Sequence, residues 1–216
     1  MKKILCVTYR DWACNMYDML QESLPHYDFN IIRTKEDYDE SIIPKYNPDI
    51  ILWYGWSWKI PKRIVGNYFS VCLHPSPLPK YRGGSPLQNQ IIRGEKTSAV
   101  SIVRMSEGLD EGDIIRQIPL SLSGTIDDIF KRMTDIGFSV TYDFFVNGIT
   151  LTKQNHEQAT GYKRRKPADS HLTAQELQNK SAEYIYNKIR MLTGPYPSAY
   201  IEDFKGDKVF ITGARL

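Results

Sequence analysis

The chain has 216 residues, 41% of them hydrophobic and 25% charged, enough for one full domain and a small appendage of ordinary globular composition. Its net charge of +3 lacks the concentrated basic footprint of a nucleic-acid binder. Three cysteines (Cys6, Cys14 and Cys72), none in a C-x-x-C pair, argue against a disulfide framework or a zinc site.

The first apolar run, residues 3–9, is β-rich and reads as a buried parallel strand. It breaks at Arg10 and Asp11, too early for a signal-peptide core, and no stretch approaches the roughly 18 apolar residues of a membrane span. The expectation is therefore a cytoplasmic protein with no membrane insertion. A helix is predicted over about 12–24, ending before Pro25, and a second strand over 27–34. Residues 35–45 read as helical and 49–54 as a third strand; after Pro61 a short helix precedes the strand 69–73. Strands alternating with helices in this way predict an α/β fold, a doubly wound and mostly parallel sheet with helices on both faces.

From residue 99 the pattern changes to two strands, 99–105 and 113–120, that pair across the loop 106–112. A helix over about 125–145, opened by Thr125 with Asp127 and Asp128 behind it, closes a main domain spanning 1–150. The basic stretch 151–170, with Lys163-Arg164-Arg165-Lys166-Pro167, reads as a solvated linker rather than a nucleic-acid patch. Residues 171–216 are expected as a small subdomain, a helix at about 180–192 and a hairpin at about 198–212, too short to fold alone and so packed on the main domain. The apolar hairpin after Pro197 would suit a homodimer face.

In a doubly wound sheet, active sites lie beyond the carboxyl ends of the strands. That rule points to the loops after Tyr9, Tyr54 and Leu73. No G-x-G-x-x-G follows the first strand, and there is no Walker loop, G-x-S-x-G elbow or H-E-x-x-H. Trp53 belongs to a strand and reads as core, whereas Trp56 and Trp58 fall in a strand-end loop where they can face a ligand.

The informative segment is Leu73-His74-Pro75-Ser76-Pro77-Leu78-Pro79-Lys80-Tyr81-Arg82-Gly83-Gly84-Ser85-Pro86-Leu87-Gln88. Prolines and glycines stiffen an irregular loop whose histidine leads directly off a buried strand, which favours a functional over a structural His74. A second loop, Ser106-Glu107-Gly108-Leu109-Asp110-Glu111-Gly112-Asp113, carries glycine-hinged carboxylates whose spacing does not match a calcium loop, and no metal is expected.

Together these two segments resemble the folate-dependent formyltransferase family. Its pattern of Asn-x-His-x-Ser-x-Leu-Pro followed by Gly-Leu-Asp-x-Gly-Asp is met by His74–Pro79 and Gly108–Asp113, with Asp110 lying 110 − 74 = 36 residues beyond the histidine. The resemblance implies a Rossmann-like formyltransferase fold, 10-formyltetrahydrofolate as co-substrate, and catalysis by His74 and Asp110. It places the pterin between the loop Trp56-Ser57-Trp58-Lys59-Ile60 and the loop Glu107-Gly108-Leu109-Asp110. One departure stands out: the family's asparagine is replaced by Cys72. A thiol is a weak donor, so an amide at Gln88, Asn89 or Gln90 could take over, or Cys72 with His74 could suffice. A nucleophilic Cys72 thiolate is a further alternative.

The flanks bear on the acceptor. Arg82-Gly83-Gly84-Ser85-Pro86-Leu87-Gln88 looks like the corresponding run of the tRNA and sugar enzymes and unlike the purine-biosynthetic one. The short remainder after residue 170, with Gly194-Pro195-Tyr196-Pro197, resembles the small subdomain of an amino-arabinose-modifying enzyme rather than a large tRNA-binding barrel. The favoured acceptor is a nucleotide-linked amino sugar destined for a cell-surface glycan, contacted by Tyr9, Arg10, Ser76, Arg82, Gly83, Ser85 and Gln88. The alternatives are a methionyl-tRNA formyltransferase-like enzyme and a non-catalytic folate- or nucleotide-sugar-binding protein.

Overall fold

The computed structural model describes residues 1–216. Strand β1 (Lys2–Val7) alternates between two cores, Ile4 and Cys6 facing one and Leu5 and Val7 the other, as a strand buried on both faces must. Helix α1 (Asp11–Ser23) turns Ala13, Met16, Tyr17 and Leu20 onto the first core, a stripe at helical spacing. Strands β2 (Tyr27–Ile32) and β3 (Ile50–Leu52) pair in parallel on opposite sides of β1. Between them α2 (Ile42–Tyr46), and after them α3 (Lys62–Asn67), cover the second core with Ile43 and Ile64. Strand β4 (Ser70–His74) joins β3 in parallel.

A two-residue strand β5 (Arg82–Gly83) and a short helix α4 (Pro86–Ile91) follow, then the antiparallel pair β6 (Thr97–Arg104) and β7 (Ile114–Ser121). The central sheet runs β2-β1-β3-β4-β6-β7, four parallel strands extended by an antiparallel hairpin. Helix α5 (Ile126–Asn147) begins in a capping box between Thr125 and Asp128 and packs beside α1. The mixed, mostly parallel α/β architecture is the expected one.

The chain crosses from β1 to β2 on one side and from β2 back past β1 to β3 on the other, so the strand order reverses and a crevice opens beyond the carboxyl ends of β1 and β3. A buried tyrosine shapes its rim. The Tyr17 hydroxyl donates to the Leu52 carbonyl (2.9 Å) and accepts the Tyr54 N–H (2.8 Å), satisfying backbone groups where the β3 ladder stops and fixing the departure of the loop 54–60.

Two expectations are corrected and one is extended. Residues 35–41 are not helical: Thr34 bonds to the Asp37 N–H and Asp39 to the Ser41 N–H, local side-chain bonds that compete with helix formation until Ile42. The helix expected at about 180–192 is α7 (Ala182–Arg190), and a further helix, α6 (Ala174–Asn179), precedes it because Thr173 and Ser181 each cap a separate start. The stretch 151–170, read as a solvated linker, is a strap tied to the main body. Thr152 bridges Ile114, strand β8 (Gly161–Tyr162) pairs with β5, and Gln154 is buried.

The C-terminal elements end in the hairpin β9 (Ala199–Glu202) and β10 (Lys208–Ile211). They share the first core through Leu172, Ile189, Met191, Leu192 and Ala199, and Arg190 donates to the Leu122 and Gly124 carbonyls at 2.8 Å each. No helix is long and apolar enough to cross a membrane.

Candidate active site

Beyond β3 and β4 lies a cavity of about 880 Å³, a size typical of small-molecule sites. His74, the last residue of β4, is buried at its floor with 7% exposure. Its Nε2 lies 2.8 Å from the Tyr81 carbonyl oxygen. A carbonyl can only accept, so Nε2 carries the proton and the free nitrogen is Nδ1. That atom faces Asp110 Oδ2 at 3.5 Å. The same oxygen accepts the Gly83 N–H at 2.8 Å, which pins the carboxylate.

Asp110 sits at φ 54°, a left-handed backbone that aspartate tolerates better than most residues. Its loop is held from below by Gln154, whose Nε2 donates to the Asp110 and Gly112 carbonyls at 2.9 and 2.6 Å. Gly112 is obligatory there, since a Cβ would meet the Arg104 carbonyl oxygen at 1.7 Å.

Cys72, where the resembled pattern has asparagine, turns toward the second core and reaches the cavity wall. Burial pushes its thiol well above the usual range, and the Asp110 carboxylate pushes it the same way. It is therefore a neutral thiol near neutral pH, and the nucleophilic-thiolate alternative is set aside. Of the three amides on α4, Asn89 donates to the Gly84 and Lys163 carbonyls and Gln90 to those of Pro75 and Pro86. Gln88 alone, 2% exposed and lining the cavity, has an Nε2 with no acceptor.

The other expected residues divide. Arg10, Trp56, Ser57, Trp58, Lys59, Ile60, Gly83, Ser85, Glu107, Gly108 and Leu109 line the same cavity, so the two loops expected around a pterin do face one space. Trp56 and Trp58 pack together with centroids 4.8 Å apart. Tyr9 is built into the wall behind them: its ring lies 4.8 Å from Trp58 and its hydroxyl bonds to Ser57 at 2.6 Å.

Ser76 and Arg82, expected at the substrate, do structural work instead. Ser76 is fully buried and donates to the Lys80 carbonyl at 2.8 Å, closing the proline-rich turn. Arg82 donates to Gln154 Oε1 at 2.7 Å and pairs with Glu111 at 3.4 Å, linking the strap to the Asp110 loop. Gln154 and the Tyr81 carbonyl escaped the sequence reading because nothing local distinguishes them. Tyr196 on the cavity wall was missed although its Gly-Pro-Tyr-Pro setting was conspicuous.

The formyl transferase family profile matches residues 10–141, well over half of the chain and both site loops. The chain belongs to the formyl transferase family. It is 32% identical over 173 residues to the methionyl-tRNA formyltransferase of Ehrlichia canis, covering 77% of this chain and 54% of that protein. The corresponding protein of Pseudothermotoga lettingae is 31% identical over 193 residues, with 86% and 61% covered. The formyl transferase chain described here thus spans a little over half the length of the curated relatives it matches.

Among solved structures, a methionyl-tRNA formyltransferase from Clostridium thermocellum superposes with a TM-score of 0.87 at 32% identity, over 98% of this chain and 97% of that one. A 4-N formyltransferase from Francisella tularensis shares the fold with a TM-score of 0.81 at 20% identity, over 100% and 98% of the two chains. The Clostridium thermocellum chain carries the methionyl-tRNA name at this same extent, so a short C-terminal region does not by itself set the tRNA reading aside.

Proposed function

We propose that this protein transfers a formyl group from 10-formyltetrahydrofolate to the amine of a nucleotide-linked amino sugar used in cell-surface glycan synthesis. The observation that carries the chemistry is the His74 ring, with Nε2–H given to the Tyr81 carbonyl and Nδ1 set 3.5 Å from Asp110 on the cavity floor.

The co-substrate would supply an activated formyl carbonyl. An aromatic wall of Trp56 and Trp58 faces the Glu107–Asp110 loop across a cavity large enough for a small molecule, which fits a flat heterocycle held between them. An amine that attacks the formyl carbon must lose a proton while the carbon's bond to the folate nitrogen breaks. Nδ1 of His74 is the basic atom presented to take that proton and return it to the departing nitrogen, which would leave as tetrahydrofolate. Asp110 Oδ2 lies where it offsets the positive charge the ring gains on taking that proton. Gly83 N–H holds the carboxylate at that spot, so little reorganisation is needed during reaction. A mere binder would have no use for this arrangement.

The sugar acceptor is favoured because the C-terminal region brings Tyr196 onto the wall of a cavity whose volume of about 880 Å³ suits a small ligand. Against it stand the relatives at 30–32% identity named methionyl-tRNA formyltransferases, which support methionyl-tRNA as the second reading. The test is a panel. The protein with 10-formyltetrahydrofolate is given nucleoside-diphosphate amino sugars, methionyl-tRNA, or no acceptor, and formylated product and free formate are measured. Formylated sugar supports the proposal, formylated methionyl-tRNA replaces it with the second reading, and formate alone marks a hydrolase.

A further inference from the structure

Two arginines that line the cavity have no acidic partner. Arg10 leaves β1 with its stem packed over Gly55, where a Cβ would lie 2.9 Å from Arg10 Cγ. Its guanidinium stacks 4.5 Å from the Tyr9 ring centroid and 5.8 Å from that of Tyr196. Held between two rings, it makes no ion pair with any carboxylate.

Arg164 reaches the same cavity from the strap. The strap's backbone is fixed on both sides of it: Asn89 donates to the Lys163 carbonyl, and the Arg165 N–H donates to Ser85 Oγ at 3.1 Å. The backbone of Arg164 itself rests on Gly84 so closely that a Cβ there would lie 2.4 Å from its Cα. Arg164 too lacks an acidic partner. The carboxylates lining the cavity, Glu107, Asp110 and Glu111, all belong to the 106–113 loop, where Glu107 pairs with Lys62, Glu111 with Arg82 and Asp110 faces His74.

Two further groups complete the cluster. Gln88 presents its buried Nε2 to this cavity, close to the Tyr196 hydroxyl but without an acceptor at full hydrogen-bond geometry. Tyr196 adds a hydroxyl: burial pushes its phenol up, while the Gln88 amide and the charges of Arg10 and Arg164 beside it pull the other way. A donor amide left without a full acceptor in a buried position is costly. Two unpaired guanidinia converging on it form a site shaped to receive oxygen-rich negative charge.

We propose that Arg10, Arg164, Gln88 and Tyr196 form an anion-binding subsite that holds a phosphate of the formyl acceptor and so aims its amine at His74. The inference rests on the acceptor site of the proposed function and names the chemistry by which that site is read. A nucleoside diphosphate and a tRNA backbone both offer such a phosphate. The strap, unremarkable as a linker, becomes under this assignment the element that delivers the second cation.

The test separates this subsite from the catalytic reading, because it needs no turnover. Binding of inorganic pyrophosphate, of UDP and dTDP, and of an unacylated tRNA is measured calorimetrically on the wild type and on Arg10→Met, Arg164→Met and the double variant. A stable folate analogue serves as the control ligand. The expected result is saturable pyrophosphate binding that weakens about tenfold in each single variant and at least fiftyfold in the double, with folate-analogue affinity unchanged. Tighter binding of a nucleoside diphosphate than of pyrophosphate identifies a nucleotide as the phosphate's source, and tighter binding of tRNA identifies a nucleic acid. Absence of saturable binding by any of these anions, or equal affinity in wild type and double variant, overturns the assignment even if formyl transfer is observed. Where an acceptor is found, Arg164→Met should raise its KM about tenfold with kcat nearly unchanged.

Discussion

Asp110→Asn is the most direct probe of the site, because it removes a charge and leaves the local geometry intact. Position 110 has a positive φ, which asparagine accepts at least as readily as aspartate, whereas alanine would add backbone strain and confound the result. The amide oxygen can still accept the Gly83 N–H, so folding stability should change by less than about 1 kcal/mol. What disappears is a unit negative charge 3.5 Å from Nδ1 of His74. At an effective dielectric of about 20 that interaction is worth at most about 5 kcal/mol. With 14% of the Asp110 side chain still open to water, an expected loss of about 3 kcal/mol lowers kcat on the order of a hundredfold. The assay is formyl transfer at saturating co-substrate, followed by the release of tetrahydrofolate, with thermal unfolding as the folding control. A kcat within threefold of the wild type, or a loss confined to the acceptor KM, would refute the role assigned to Asp110.

Other outcomes follow from the same geometry. His74→Ala removes the proton acceptor outright and should cost at least a hundredfold in kcat, while folate-analogue binding persists. Cys72→Ser should retain activity within about threefold, since the thiol is held neutral; complete inactivity would reinstate a thiolate. Gly84→Val places side-chain atoms where the Arg164 backbone lies, displacing the strap by roughly 1 Å at a stability cost of about 1–3 kcal/mol. Acceptor or pyrophosphate affinity should fall at least tenfold, and folate binding should not.

The C-terminal region offers a pH prediction. Desolvation alone would raise the Glu176 carboxyl, but bonds from Lys188, the Thr173 N–H and the Tyr184 hydroxyl outweigh it and bring it from 4.5 down to about 2. A depressed carboxyl contributes stability that is complete above pH 4.5 and lost as pH falls toward 2, here on the order of 3 kcal/mol. Unfolding measured across that window should show Glu176→Gln less stable than the wild type at neutral pH, with the gap closing on acidification. A pH-independent difference would disprove the linkage.

The fold class and the meeting of His74 and Asp110 in one cavity could be read from the chain because both rest on local signals. Apolar strands alternating with amphipathic helices specify a doubly wound sheet, and that topology alone sends His74 and the 106–113 loop toward the same strand ends. The strap could not be read that way. Lys163–Lys166 has the composition of a solvated linker; only the glycine pair Gly83-Gly84, which lets backbone approach backbone, converts it into part of the site wall. Ser76 and Arg82 show the same limit from the other side: polar residues in a motif loop look like ligand contacts until Lys80, Gln154 and Glu111 are found satisfying them. The sequence by itself determined which groups could do chemistry. The tertiary structure decided which were left free to do it, because a buried donor or acceptor is spent once a partner distant in the chain has bonded to it. By that rule Nδ1 of His74, Nε2 of Gln88 and the guanidinia of Arg10 and Arg164 remain uncommitted in the cavity, while the amides of Asn89 and Gln90 do not.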